Sequence, residues 1–225
     1  MSRSHRPTQD DEECIFAAAT VGDWKTVSLS LSRISSDFHP KILSQLLHLA
    51  VEQKDLEKVK RLLAHNPRVN IEKNKKTPIQ LAVELECWDC VTAIARAVKT
   101  DANDTARYGS ALVNAAEKNQ TEAALALVAA GADSGWHHVS GDHAGYFAVH
   151  FAIDNNNLSL LEAILKKHGA AAARSQYESY ITPLSLALFK NNAQAVTLLL
   201  AHGAKVNGRA IIEAAENKNW EFVWL

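Results

Sequence analysis

The chain has 225 residues, 24 Lys and Arg against 25 Asp and Glu, a formal charge of −1 and a 47% hydrophobic content. That length makes one large domain or two small ones with a substantial core, and the balanced charge excludes the simplest routes to non-specific nucleic-acid or membrane binding. No apolar run approaches the roughly 18–20 residues that cross a bilayer, the opening MSRSHRPTQDDEEC lacks a signal peptide's apolar stretch, and three cysteines fit a reducing, cytoplasmic setting better than a disulfide framework.

With only 9 Gly and 5 Pro but 36 Ala, the chain reads as all-α, its helices packed closely through small residues. In chain order, residues 1–12 form an N-terminal arm, its acidic run Asp10–Glu13 leading into the first helix where negative charge suits the helix dipole. From there one pattern recurs: an apolar residue, an Ala, a polar break, then an apolar stripe at helical spacing. It reads FAAATVGDWKTVSLSL from Phe16, LAVEQKDLEKVKRLL from Leu49, LAVELECWDCVTAIA from Leu81 and NAAEKNQTEAALALV from Asn114. It returns as FAIDNNNLSLLEAIL from Phe151, LALFKNNAQAVTLLL from Leu186 and a short EAAENKNWEFVWL from Glu213. The anchoring alanines, Ala18, Ala50, Ala82, Ala115, Ala152, Ala187 and Ala214, are 32, 32, 33, 37, 35 and 27 residues apart. The spacing predicts one domain over 13–225, built of two-helix units at about 13–40, 41–74, 75–107, 108–141, 142–176, 177–208 and a truncated 209–225. No unit of this size can bury its apolar face alone, so each leans on its neighbours.

Two units open with Thr77-Pro78 and Thr182-Pro183, a hydroxyl N-cap followed by the residue that needs no N–H partner. Second helices exit through Gly131-Ala132, Gly169-Ala170 and Gly203-Ala204. The run Thr182-Pro183-Leu184-Ser185-Leu186-Ala187, then Val196 to Leu200 and Gly203-Ala204-Lys205-Val206-Asn207, resembles a near-consensus ankyrin repeat. Lys76 to Ala82 and Asp142 to Ala152 are further matches, whereas tetratricopeptide repeats lack the Thr-Pro cap and the Gly-Ala-x-Val-Asn exit. The resemblance implies an ankyrin-repeat solenoid of stacked helix-turn-helix units with short β-hairpin or loop fingers. The 27-residue interval is too short for a full finger before Arg209.

The resemblance also implies a concave groove lined by the ends of the inner helices. Two residues after each anchoring Ala stand Thr20, Glu52, Glu84, Glu117, Asp154, Phe189 and Glu216, with Gln53, Leu85, Lys118, Asn155, Lys190 and Asn217 one step further on. Two readings stay open: a negative stripe that attracts a basic partner segment, or solvated helix ends. Finger residues add Lys76, Trp136, His143, Tyr146 and Tyr180 as partner contacts, with Tyr177 beside them. Asn70 and Asn207 resemble finger asparagines that hydroxylases modify in some ankyrin domains, although Asn also suits tight turns.

Other chemistry finds little support. Cys87-Trp88-Asp89-Cys90 has redox-motif spacing but lies at an inter-helix turn. His137, His138, His143 and His150 form the densest histidine cluster, and three of them could gather on the long connector around zinc. His150, however, shares its repeat position with His48, where ankyrin domains use His between units, so no cofactor or metal is expected. No nucleophile elbow, phosphate loop or paired catalytic carboxylates appear. The expected function is therefore a non-catalytic module gripping a protein partner, with no membrane or nucleic-acid role. The alternative is the targeting arm of a larger enzyme, or of a bacterial effector acting in a host cell. Trp220, Phe222 and Trp224 in the shortened last helix point to a further C-terminal domain packing there, unless that helix simply caps the array.

Overall fold

The structure, a computed structural model, describes residues 9–33, 40–65, 67–97, 105–138, 144–175 and 181–218. The chain divides into two compact units, Met1–Val98 and Lys99–Leu225. The first holds α1 (Gln9–Thr20), α2 (Trp24–Arg33), α3 (Pro40–Glu52), α4 (Leu56–Leu63), α5 (Pro78–Glu84) and α6 (Trp88–Ala97). The second holds α7 (Thr105–Glu117), α8 (Thr121–Ala129), α9 (Ala148–Asp154), α10 (Leu158–His168), α11 (Ala170–Ala173), α12 (Pro183–Phe189), α13 (Ala193–Ala201) and α14 (Gly208–Glu216). Within the first unit α1, α3 and α5 pack in a row, and α4 packs on α6. Within the second, α7, α9, α12 and α14 form one row and α8, α10 and α13 a second row behind it.

The anchoring alanines set this arrangement. Ala50, Ala82, Ala115, Ala187 and Ala214 have no exposed surface and Ala152 almost none, as a methyl-sized contact between adjacent helices requires. In the first pair the fully buried residue is Ala19, with Ala18 half-buried. Four residues after each anchor the backbone turns left-handed, at Gly22, Lys54, Glu86, Asn119, Asn156, Asn191 and Lys218, with φ between 51° and 85°. One residue on, the amide donates back to the anchor carbonyl: Asp23 to Ala18, Asp55 to Ala50, Cys87 to Ala82, Gln120 to Ala115, Asn157 to Ala152 and Asn192 to Ala187. Only Gly22 takes the left-handed conformation without steric penalty, so at the other six positions the packed helices on either side hold it in place.

Caps fix where helices begin. Thr77 accepts from the Gln80 amide while Gln80 reaches back to the Thr77 amide, and Thr182 and Ser185 repeat the exchange. Phe147 has no capping side chain; instead His150 Nδ1 accepts the Phe147 amide at 3.2 Å. Second helices open on Asp55, Asn157 and Asn192, each accepting from the amide three residues on. The hydrogen bond from Lys58 holds the Asp55 carboxyl below its usual range.

Among the described residues no extended strand forms, and the fingers reduce to two isolated antiparallel bridges, Lys73 to Lys76 and His137 to Phe147. The first closes a two-residue turn whose central residues, Asn74 and Lys75, both have positive φ, the tight hairpin geometry that matches strand twist. Between α13 and α14 no bridge forms, and Asn207 passes directly into α14 as its N-cap.

Candidate functional site

The seven residues expected along the groove are each the last residue of an inner helix. Thr20, Glu52 and Glu84 end α1, α3 and α5 in the first unit; Glu117, Asp154, Phe189 and Glu216 end α7, α9, α12 and α14 in the second. Phe189 is 58% exposed, a large apolar side chain that the fold leaves uncovered. The carboxylates do not make a bare negative stripe. Lys73 Nζ lies 2.8 Å from Glu52, Lys76 pairs with Glu84, Lys190 with Asp154, and His138 Nε2 lies 3.5 Å from Glu117. Exposed pairs of this kind contribute at most about 1 kcal/mol each and exchange readily with a partner's charges.

Two of the next set of residues, Asn155 and Asn217, depart from the expectation that they face the groove. Asn155 donates to the Ala116 carbonyl at 2.9 Å and Asn217 to the Leu188 carbonyl at 3.1 Å. Each adds a second donor to a carbonyl at the end of the preceding inner helix, which already accepts the amide of Asn119 or Asn191, so these side chains serve the stack.

The fingers are equally specific. Trp136 is 41% exposed, and its Cβ sits so close to Gly109 of α7 that an added methyl there would lie 2.8 Å from it. Tyr146 is half-buried with its ring 5.1 Å from His150 and 5.5 Å from Phe151. Burial raises its phenol pKa, the charge of Asp154 adding to the effect. Of the described histidines, His137 and the buried His150 both pack on Phe147, and His138 reaches Glu117 and the edge of Phe151. Asn70 is exposed in the turn after α4, while the Asn207 side chain accepts from the Ala210 amide. His143, Tyr177, Tyr180, Trp220, Phe222 and Trp224 lie outside the described residues.

The cysteines depart from expectation. Cys14 is free and exposed, but Cys87 and Cys90 are joined, their Cα atoms 5.2 Å apart. The odd count points away from disulfides; it misses that these two residues occupy the N-cap and third positions of one helix, already within bridging range.

In the second unit, the ends of α9 and α12 and the start of α14 enclose a cavity of about 330 Å³. Tyr146, Ile181, Leu186 and Phe189 give it apolar walls, and Asp154, Lys190, Arg209 and Glu213 its charges. Glu213 is 3% exposed; Arg209, one turn earlier on α14, binds its Oε1, while Oε2 is buried with no hydrogen-bond partner among the described residues. Sequence reasoning found Tyr146, Asp154 and Phe189 here but missed Glu213. A signal existed: the residue before the anchoring Ala is apolar in five other units, Ala17, Leu49, Leu81, Phe151 and Leu186, and the uncharged Asn114 in the sixth, so a carboxylate in that slot breaks the local rule.

A second hollow, about 490 Å³, lies over α10 and α13, lined by Leu158, Ser159, Glu162, Ala193, Gln194, Thr197 and Leu198. Among the described residues no helix is long and apolar enough to cross a membrane.

Comparison with known proteins places these features. The family described as Ankyrin repeat matches residues 180–211, which include the Thr182 capping box and α13. An ankyrin repeat domain from Acinetobacter baumannii AYE aligns over 86% of this chain and 100% of its own, with 24% identity and a TM-score of 0.59. The chain is an ankyrin-repeat protein. The ankyrin repeat domain of Bcl-3, a unique member of the IkappaB protein family, aligns over 76% of this chain and 80% of its own at 26% identity and a TM-score of 0.52. EF0377, an ankyrin repeat protein, aligns over 84% and 97% at 21% identity and a TM-score of 0.56. No curated protein sequence matches. Ankyrin repeats generally mediate protein–protein interaction and are typically non-catalytic.

Proposed function

We propose that this ankyrin-repeat chain is a non-catalytic interaction module that holds a protein partner against the ends of its inner helices and its finger tips. The observation that carries the reading is Phe189: at the helix-end position filled by carboxylates in five other repeats, the sequence places a large aromatic ring and the fold leaves it 58% exposed. Exposed aromatics flanked by polar groups act as interface anchors because they bury much area at little entropic cost. Ion pairs at other inner-helix ends support a partner segment carrying basic residues, since Glu52, Glu84 and Asp154 each hold a lysine that another cation can replace. The test is the affinity of a partner recovered with the intact chain from its native host. Phe189→Ala is expected to weaken binding by about tenfold or more, the scale of an interface hot spot, and Glu117→Lys to weaken it most at low salt. Thr197→Ala, on the opposite helix row, is expected to change it less than about twofold. Equal effects at Phe189 and Thr197 would reject the assignment.

A further inference from the structure

The cavity between α9, α12 and α14 has its charges arranged by depth. The cationic side chains lie outside: those of Lys190 and Arg209 are 41% and 54% exposed. The anionic ones lie inside: the Asp154 side chain is 27% exposed and that of Glu213 only 3%. An anionic guest would meet the two bases at the rim but face a buried carboxylate beyond them, a costly approach.

The deepest acceptor is also unsatisfied. A buried carboxylate is stabilised when both oxygens receive donors, and Glu213 Oε2 has none. The slot that Glu213 occupies is apolar in most other units, so nothing in repeat packing calls for a charge there. Beside it, the Phe189 face is exposed and the Tyr146 ring lines the same cavity. At about 330 Å³ the space is at the small end of binding cavities, the size of one long side chain and not of a large cofactor.

We propose that this cavity is a specificity pocket for an arginine side chain of the protein partner. Displacement of the exposed Arg209 side chain opens the Glu213 carboxylate to the guanidinium, which supplies the donor that Oε2 lacks and stacks on Phe189, while its aliphatic stem lies along Leu186 and Ile181. Arginine suits these demands because its planar, weakly hydrated cation pairs with carboxylates and stacks on aromatic rings. The assignment rests on the interaction-module reading and names the partner chemistry recognised at one point of it.

The test is titration of the intact, isotope-labelled chain with the tripeptide acetyl-Ala-Arg-Ala-amide, followed by amide NMR shifts. Matched peptides carry citrulline, which has nearly the same shape without the charge, or glutamate. The pocket predicts saturable shifts at α12 and α14 for the arginine peptide, with affinity lowered about tenfold or more for citrulline and lost for glutamate. Phe189→Ala, at an exposed position, is expected to weaken the arginine peptide about fivefold while leaving the spectrum folded. Glu213→Gln is expected to weaken it at least as much. Equal binding of citrulline, shifts confined to other helices, or no saturation up to about 10 mM overturns the pocket. That failure leaves the interaction reading to be decided by the partner-affinity test, which does not depend on a single arginine.

Discussion

His150 shows how one side chain couples neighbouring repeats. Its Nδ1 accepts the Phe147 amide, so the remaining ring proton sits on Nε2, which donates to the Ile181 carbonyl at 3.2 Å. His48 plays the same part in the first unit, one ring nitrogen 3.0 Å from the Lys76 carbonyl. In both cases the carbonyl belongs to the residue just before the capping threonine of the next repeat. Burial lowers the His150 pKa to about 4, only partly opposed by the bond to Ile181. The unfolded chain binds this proton near pH 6.5, so the stabilisation is complete above that value and is lost as the pH falls towards 4. Unfolding free energies of the parent and His150→Gln, measured from pH 7 to pH 4, should therefore converge by roughly 3 kcal/mol on acidification. A pH-independent difference would show that the ring is not held neutral. The shared position of His48 and His150 was readable in the repeat alignment, whereas the direction of Asn155 and Asn217 was not. Letters at a helix end do not reveal whether an amide turns to the groove or back to a carbonyl of the preceding repeat.

At the level of the helix, the turn joining the two helices of each repeat is the most regular feature of the chain. A left-handed residue is followed by an N-cap, and the cap's side chain usually answers the amide three residues later. Asp23, Asp55, Asn157 and Asn192 do so by hydrogen bonds. At α6 the same two positions, Cys87 and Cys90, are linked covalently. The disulfide thus stands where other repeats have a cap, and its reduction should cost about what a missing cap costs. Under reducing conditions Cys87→Ala is expected to lose about 0.5–2 kcal/mol by urea unfolding relative to Cys87→Asp, which restores a carboxylate acceptor. Equal stability of the two variants would mean that α6 draws nothing from its N-terminal link. The left-handed turns themselves were hidden in the sequence, because Lys54, Glu86 and Lys218 are not residues that announce positive φ; packing imposes it.

For the molecule as a whole, the repeat architecture was legible because its physical basis is periodic. Small residues recur where helices touch, breaks recur where the chain reverses, and the observed left-handed turns follow the anchoring alanines at a constant offset. The proposed binding face was legible only in outline. Its positions follow from the period, but their charge does not, since Lys73, Lys76 and Lys190 come from elsewhere in the fold to meet the carboxylates. Glu213 was the residue most worth noticing, as the one charged residue in a slot that is apolar in most repeats. The claim on which the functional account turns is that partners engage the inner-helix ends. The most direct measurement places a photo-crosslinking benzoylphenylalanine at Phe189 in one sample of the intact chain and at Thr197 in another, then identifies crosslinked protein in extract of the native host. The account predicts a discrete adduct from position 189, mapping to an arginine-containing segment, and none from position 197. Adducts from 197 with none from 189 would contradict it.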